Sequence, residues 1–336
     1  MGKLVYYPSG IHTQRSEAAS VRLKLVNESF MRLIVDGIKR AALNALNRDR
    51  HIDDLKINQG RILSYQQRSI TSKTLSDFEF CVFSQWGEDG ILQFLTRNLP
   101  VQSRTFIEFG VEDFFESNCR FLLMKDLWQG FVIDGSEAHI ARLQSSYFYW
   151  KYQLRSKAAF ITRENIASLL EESGFDKEVG IMSVDLDGND YHVLERLPEW
   201  RPAILVLEYN AVFGGTRAVS VPYDPAFRRQ QKHYSNLYYG ASLPAFCHLT
   251  AQRGYGLVGV NSMGTNAFFV RRDLLNDIVC EIDPKLGYRD SVPRESRDSR
   301  GRLSMLSGAD RLSAIAGLPL VDVVTGEILS TSSLKS

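Results

Sequence analysis

Cysteine is scarce in this chain: four thiols in 336 residues, Cys81, Cys119, Cys247 and Cys280, with no CxxC pair among them. That spacing excludes the common zinc motifs and offers no disulfide framework, so the thiols read as reduced and the protein as cytoplasmic. An excess of charge of one sign is missing too. Forty basic residues meet thirty-nine acidic ones, a net charge of +1, which leaves no global field to steer nucleic acid or an anionic membrane surface. No stretch approaches the roughly 18 apolar residues of a spanning helix, and the opening MGKLVYYPSG has no apolar signal core. Neither nucleic acid nor a membrane is therefore expected as a partner. Internal repeats and low-complexity tracts are also lacking.

What is present suits a soluble globular chain, with 44% hydrophobic and 24% charged residues, enough apolar material for a well-buried core. The length fits two average domains or one enlarged α/β domain with extensions. Residues 28–47 place Phe30, Ile34, Ile38, Ala41 and Leu46 at helical spacings, which predicts a packing or dimerisation helix and a route to a homo-oligomer. This gives an N-terminal helical extension over 1–80, a central domain over 81–275 and a polar extension over 276–336. The last carries Arg289, Arg294, Arg297, Arg300 and Arg302 among acids and reads as a solvated charged segment.

From position 84 short apolar runs alternate with amphipathic stretches, the pattern of a parallel sheet covered by helices. Strands are expected at 104–109, 130–134, 157–161, 180–186, 203–209, 255–260 and 265–271, with helices at 87–98, 117–127, 137–149, 164–173, 189–197 and 241–253. The turn residues Asn261 to Gly264 favour a tight reversal between the last two strands. The expected fold is α/β: a Rossmann-like, seven-stranded, mostly parallel sheet with helices on both faces and an antiparallel final pair.

Four segments carry chemistry. TFIEFGVEDFFESNCRFLL, residues 105–123, runs a buried strand through Glu108 and Gly110 into a helix capped near Ser117 or Asn118, a turn that aims backbone N–H groups at a ligand. Gly110 is the single glycine where a nucleotide fingerprint has two or three. QGFVIDG ends at Asp134, where an acid can accept both hydroxyl hydrogens of a ribose, with Gly135 and Ser136 beside it. GIMSVDLDGND sets Asp185 and Asp187 on one side of an extended segment, and Asn189 or Asp190 can cap the next helix. AILVLEYNAVFG brings Glu208 and Asn210 to the same carboxyl edge, where open α/β sheets bind ligands.

These segments, with FSQWGEDGIL, SVDLDGNDYHVL and NAFFVR, resemble the FkbM-like branch of S-adenosylmethionine-dependent methyltransferases over residues 83–271. The resemblance implies a class I methyltransferase fold and S-adenosylmethionine as cofactor. It puts the first-strand acid and glycine at Glu108 and Gly110, the second-strand acid at Asp134, and the acidic segment after strand four at Asp185, Asp187 and Gly188. The chain departs from the pattern at Glu112 and Phe114, where small residues are common. The implied reaction is O-methylation of a hydroxyl on a saccharide or related polar metabolite, so the expected partner is a small-molecule or glycan acceptor.

An alcohol needs a positioned base or a Lewis acid to lose its proton. Asp185, Glu208 and Asn210 offer three oxygen donors suited to Mg²⁺, an arrangement similar to that of catechol O-methyltransferase; otherwise Asp185 and Asp187 hydrogen-bond cofactor and backbone. His192, in the helix after strand four, and His233, in the long connection 211–240, are the candidate bases beside Asp185. That connection also holds Tyr223, Arg228, Arg229, Tyr234, Tyr238 and Tyr239 and reads as an acceptor pocket or lid. Two other readings stand. A non-catalytic cofactor-binding scaffold would keep the fold without turnover, and a haloacid-dehalogenase-type phosphatase would use Asp185 as nucleophile and Asp187 as general acid.

Overall fold

The computed structural model describes residues 1–2, 31, 34–39 and 48–334. The helix expected over 28–47 lies for the most part outside the described residues. The chain divides into two compact units, Met1–Leu55 and Lys56–Ser336, and everything below concerns the larger one. Residues 56–66 are helical and belong to it. They are tied to helix Glu88–Asn98 by Ser64, which donates to Gln93 at 3.0 Å, and by Gln67, which donates to the Gly90 carbonyl at 2.8 Å.

Seven strands form the main sheet: β1 (Thr105–Phe109), β2 (Gln129–Asp134), β3 (Leu154–Ala158), β4 (Ile181–Val184), β5 (Ile204–Glu208), β7 (Tyr255–Val260) and β8 (Asn266–Arg271), in the order β3-β2-β1-β4-β5-β8-β7. A two-residue strand, β6 (Val219–Ser220), belongs elsewhere. Strands β1 to β5 are parallel, and β8 lies antiparallel between β5 and β7. Alternation along each strand feeds two cores. Phe106, Val132, Ile181, Ile204 and Phe268 face one layer of helices, while Ile107, Ile133, Met182, Leu205 and Phe269 face the other. A sheet buried on both faces needs such near-continuous apolar runs.

The third strand differs from expectation, occupying Leu154–Ala158 instead of 157–161. It is the edge strand beside β2, with Asp134 opposite Ala158, so the apolar residues Ala159 to Ile161 run past the sheet and wall a cleft. The polar C-terminal stretch keeps Arg289, Arg294, Arg300 and Arg302 exposed, as expected of a solvated charged segment, and is also folded. It folds back as helix Ala309–Ala314 with strands β9 (Pro319–Asp322) and β10 (Ile328–Ser330), which join β6 in a second sheet. Val219, Val221, Phe227 and Leu237 to Tyr239 share a third core with Ile315 and Leu320. Arg311 is buried and donates to the carbonyls of Leu306, Ser291 and Pro293, so this charge holds backbone instead of meeting water. Among the described residues no helix is long and apolar enough to cross a membrane.

The loop before helix Glu88–Asn98 is organised by one side chain. Asp89 Oδ2 accepts from the amides of Val82, Phe83 and Ser84 at 2.7, 2.7 and 2.8 Å, and from Ser84 Oγ at 3.0 Å. Burial still pushes its carboxyl up to about 6, because removal from water outweighs these bonds. Asp89→Ala leaves three buried amides, besides the Ser84 hydroxyl, without this acceptor, at about 1–3 kcal/mol for each amide when fully orphaned. With water entering the space left behind, an overall loss of about 3 kcal/mol is expected in urea unfolding. An unchanged midpoint would show that the loop holds itself.

Candidate active site

Sheet register aligns the strand ends. Phe109 pairs with both Ile133 and Val184, and Val184 with Leu207, so the next residues, Gly110, Asp134, Asp185 and Glu208, reach one edge together. They wall a cleft of about 600 Å³, within the usual range for small-molecule sites. Gly110 has φ +70°, and a Cβ there would sit 1.7 Å from the Asp185 carbonyl oxygen. Glycine is required because the turn presses on the backbone after β4.

Glu108 is buried and engaged by the following loop. Its carboxylate accepts from Ser117 Oγ at 2.7 Å, Asn118 N at 2.7 Å and Cys119 N at 3.2 Å, while burial holds its carboxyl above the usual range. The helix therefore starts only at Arg120, and Ser117 and Asn118 do not cap it. They order the loop, and Asn118 also donates to Ser183 on β4 at 3.0 Å.

Asp134 fixes the opposite wall. Oδ2 accepts from Glu112 N and Oδ1 from Ser136 N, both at 2.8 Å, and each oxygen keeps a second lone pair. The Ser136 hydroxyl caps helix Glu137–Gln144 through His139 N. Both departures from the family pattern sit in this turn. Glu112 and Phe114 have positive φ, with the Glu112 amide directed at Asp134 and Phe114 fully buried beside Phe106 and Phe148.

At the β4 and β5 tips Asp185 and Glu208 face each other, with carboxylate oxygens within 4.8 Å. Burial, then the charges of Asp187 and Asp190, push Asp185 up to about 8. Burial and Asp185 raise Glu208 well above the carboxylate range. Two like charges this close disfavour each other's ionised form, so both carboxyls hold a proton more readily than an isolated acid. β4 ends at Val184, hence Asp187 lies in a turn at φ +54° and not in an extended segment. Asp190 does not cap its helix either. It accepts from the amides of Leu186 and Gly188 at 2.7 and 2.9 Å and shapes the turn.

The connection 211–240 crosses the cleft. Phe227 presses on Gly188, where a Cβ would meet its ring at 2.2 Å, and Arg228 stacks over Phe160 at 4.8 Å. Arg229 lies over Tyr239 at 3.7 Å and donates to Asp187 at 2.6 Å and to Glu295. Its cation lowers the proton affinity of both Asp185 and Glu208.

Three sequence-derived roles are corrected. Asn210 is buried and fully engaged, donating to the Leu237 and Tyr239 carbonyls at 2.9 Å each and accepting from Val212 N. It caps a turn instead of offering a metal ligand. His192 does not point to water or to the cleft: its Nε2 meets the Val221 carbonyl at 2.8 Å under the connection, and burial lowers its pKa. His233 pairs with Ser235 at 2.7 Å and is also absent from the cleft wall. Sequence reasoning missed the structural acids Glu88 and Asp89. Glu88 is buried and accepts from Asn261 and Asn266 at 2.7 and 2.9 Å, joining its helix to the β7–β8 turn. Two adjacent acids at a helix start after Ser and Gly were the available signal.

No family model and no curated protein matches the chain. Among solved structures it is similar to an O-methyltransferase from Bacillus cereus in complex with SAH, at 13% identity and a TM-score of 0.36, covering 64% of this chain and 88% of that one. It is similar to the DszA carbon methyltransferase at 14% identity and a TM-score of 0.34, covering 56% of this chain and 53% of that one. A third is magnesium protoporphyrin IX methyltransferase ChlM from Synechocystis PCC 6803 with bound SAH, at 12% identity and a TM-score of 0.36, covering 55% and 81%. The chain thus spans about half the length of DszA. The strand order β3-β2-β1-β4-β5-β8-β7 with β8 reversed makes this a Rossmann-like class I methyltransferase fold.

Proposed function

We propose that the chain is an S-adenosylmethionine-dependent methyltransferase acting on a hydroxyl of a saccharide or related polar metabolite. The observation that carries this reading is the Asp185–Glu208 carboxylate pair, with oxygens within 4.8 Å, facing the same cleft as Asp134. The donor set fits an adenosine cofactor: Asp134 keeps a lone pair on each oxygen for two ribose hydroxyls, beside the turn at Gly110, Gly135 and Ser136. When bound, S-adenosylmethionine supplies an electrophilic methyl group, whose transfer to the acceptor oxygen breaks the sulfur–methyl bond and leaves S-adenosylhomocysteine. Asp185 and Glu208 take the hydroxyl proton, and their raised proton affinity suits them to an acid as weak as an alcohol. Glu108 keeps the loop at 117–119 in place, and the connection 211–240 shields the pair. Incubation with methyl-labelled cofactor and an acceptor panel tests this; label found only on nitrogen or carbon acceptors would sink it.

One observation favours a variant with a metal ion. Ligand atoms of Asp185, Asp190 and Glu208 all lie within 4.8 Å of one another, so Asp190 stands where Asn210 was expected. These oxygens would hold Mg²⁺, and the ion would polarise the acceptor hydroxyl. Asp190 already accepts two backbone amides, which leaves it little capacity for an ion, so the metal-free form is preferred. Turnover should persist after exhaustive chelation. Loss in chelator, restored by Mg²⁺, would transfer the role to the ion.

A further inference from the structure

Beyond the Asp134 end, the charged wall of the cleft consists of Asp185, Asp187, Glu208 and Glu295 against Arg228 and Arg229. Arg229 is neutralised where it stands. Its side chain is only 13% exposed, over the Tyr239 face and between Asp187 and Glu295. Those two carboxylates are more than half exposed, and among the described residues each has one oxygen that accepts no hydrogen bond. An aromatic face and two carboxylates around a guanidinium form a built site for positive charge. The carboxylates keep capacity for a second cation.

An independent observation points to a ligand that donates hydrogen bonds. Asn189 is 4% exposed and lines the cleft. Its Nδ2 donates to the Asp224 carbonyl at 2.8 Å, while its buried Oδ1 has no partner. It occupies the N-cap position of helix Asp190–Glu195 without making a capping bond. A buried carbonyl oxygen left so is costly unless a ligand N–H or O–H fills it. Arg228, the other arginine of the cleft wall, stacks on Phe160.

We propose, resting on the methyltransferase reading, that the acceptor is a polyhydroxyl compound bearing a positively charged amino group, held by Asp187, Glu295 and Asn189. A phosphate or carboxylate would meet like charge at Asp187 and Glu295. The ammonium is the handle, and a neighbouring hydroxyl is the group methylated. Carboxylates focused in a cleft raise the local concentration of such a cation and repel its anionic congeners.

The test uses the whole chain, with and without S-adenosylhomocysteine, and four probes followed by saturation-transfer NMR: glucosamine, glucose, glucose 6-phosphate and glucuronate. Glucosamine should bind at least about tenfold more tightly than either anion, a typical scale for one charge contact. Glu295→Gln should bring that ratio towards one and Glu295→Asp should restore it, with the affinity for S-adenosylhomocysteine unaltered in both. Equal or tighter binding of an anionic sugar, no binding of glucosamine, or a preference unmoved by Glu295→Gln overturns the proposal. Failure to bind S-adenosylhomocysteine would overturn the methyltransferase reading instead, and the cofactor-free sugar arms would still decide the charge preference.

Discussion

Asp185→Asn should lower kcat by about 10²–10⁴-fold, the span of a positioned general base, while leaving cofactor affinity largely unchanged. The ionised form of the pair accepts the proton, so the wild-type rate should rise with pH and level off above about 8, where burial, Asp187 and Asp190 place Asp185. The sign follows from the direction of the shift: protonation inactivates the base, so activity falls as pH drops through that value. In the Asn variant Glu208 loses the largest charge raising its own proton affinity, and the residual rate should start to rise at lower pH. A normal kcat, or a residual profile with its rising limb unmoved, would remove the pair from the reaction. Single-turnover rates across the pH range separate this from slow product release.

The carboxyl-edge acids were legible because strand alternation and the period of βα units fix where each strand stops. Once Ile107, Ile133, Met182 and Leu205 are assigned to one buried face, Glu108, Asp134, Asp185 and Glu208 must come near a common edge. What those acids do there was not legible. Glu108 is engaged by Ser117 and Asn118, and that bonding shortens the helix expected from 117. Arg229 meets Asp187 from 42 residues away, along a connection with no periodicity to place it. The histidines misled because pKa near neutrality is a property of the type, whereas position is set by packing. His192 is at once a helix residue and a donor to the Val221 carbonyl. The C-terminal stretch was legible in part: Arg289, Arg294, Arg300 and Arg302 are exposed, as charge density suggests, but Arg311 satisfies several carbonyls at once, as a planar five-donor group can.

Asp134→Ala should weaken S-adenosylhomocysteine binding by about 100-fold or more, from two lost hydrogen bonds to a charged group at roughly 1.5 kcal/mol or more each. The side chain has a second task, because it holds the amides of Glu112 and Ser136. Its removal also loosens a turn in which Glu112 and Phe114 occupy positive φ. Lost ribose acceptors and a relaxed turn would both reduce affinity, so the single variant does not separate them. A cycle with the 2′,3′-dideoxy form of the ligand does. Wild type should bind that analogue about 100-fold more weakly than the parent, whereas the Ala variant should bind the two alike, since the acceptors are already gone. Asp134→Asn, which retains one carbonyl acceptor, should fall between. If calorimetry finds the dideoxy analogue equally disfavoured in wild type and Ala variant, the ribose is read elsewhere and Asp134 serves the turn alone.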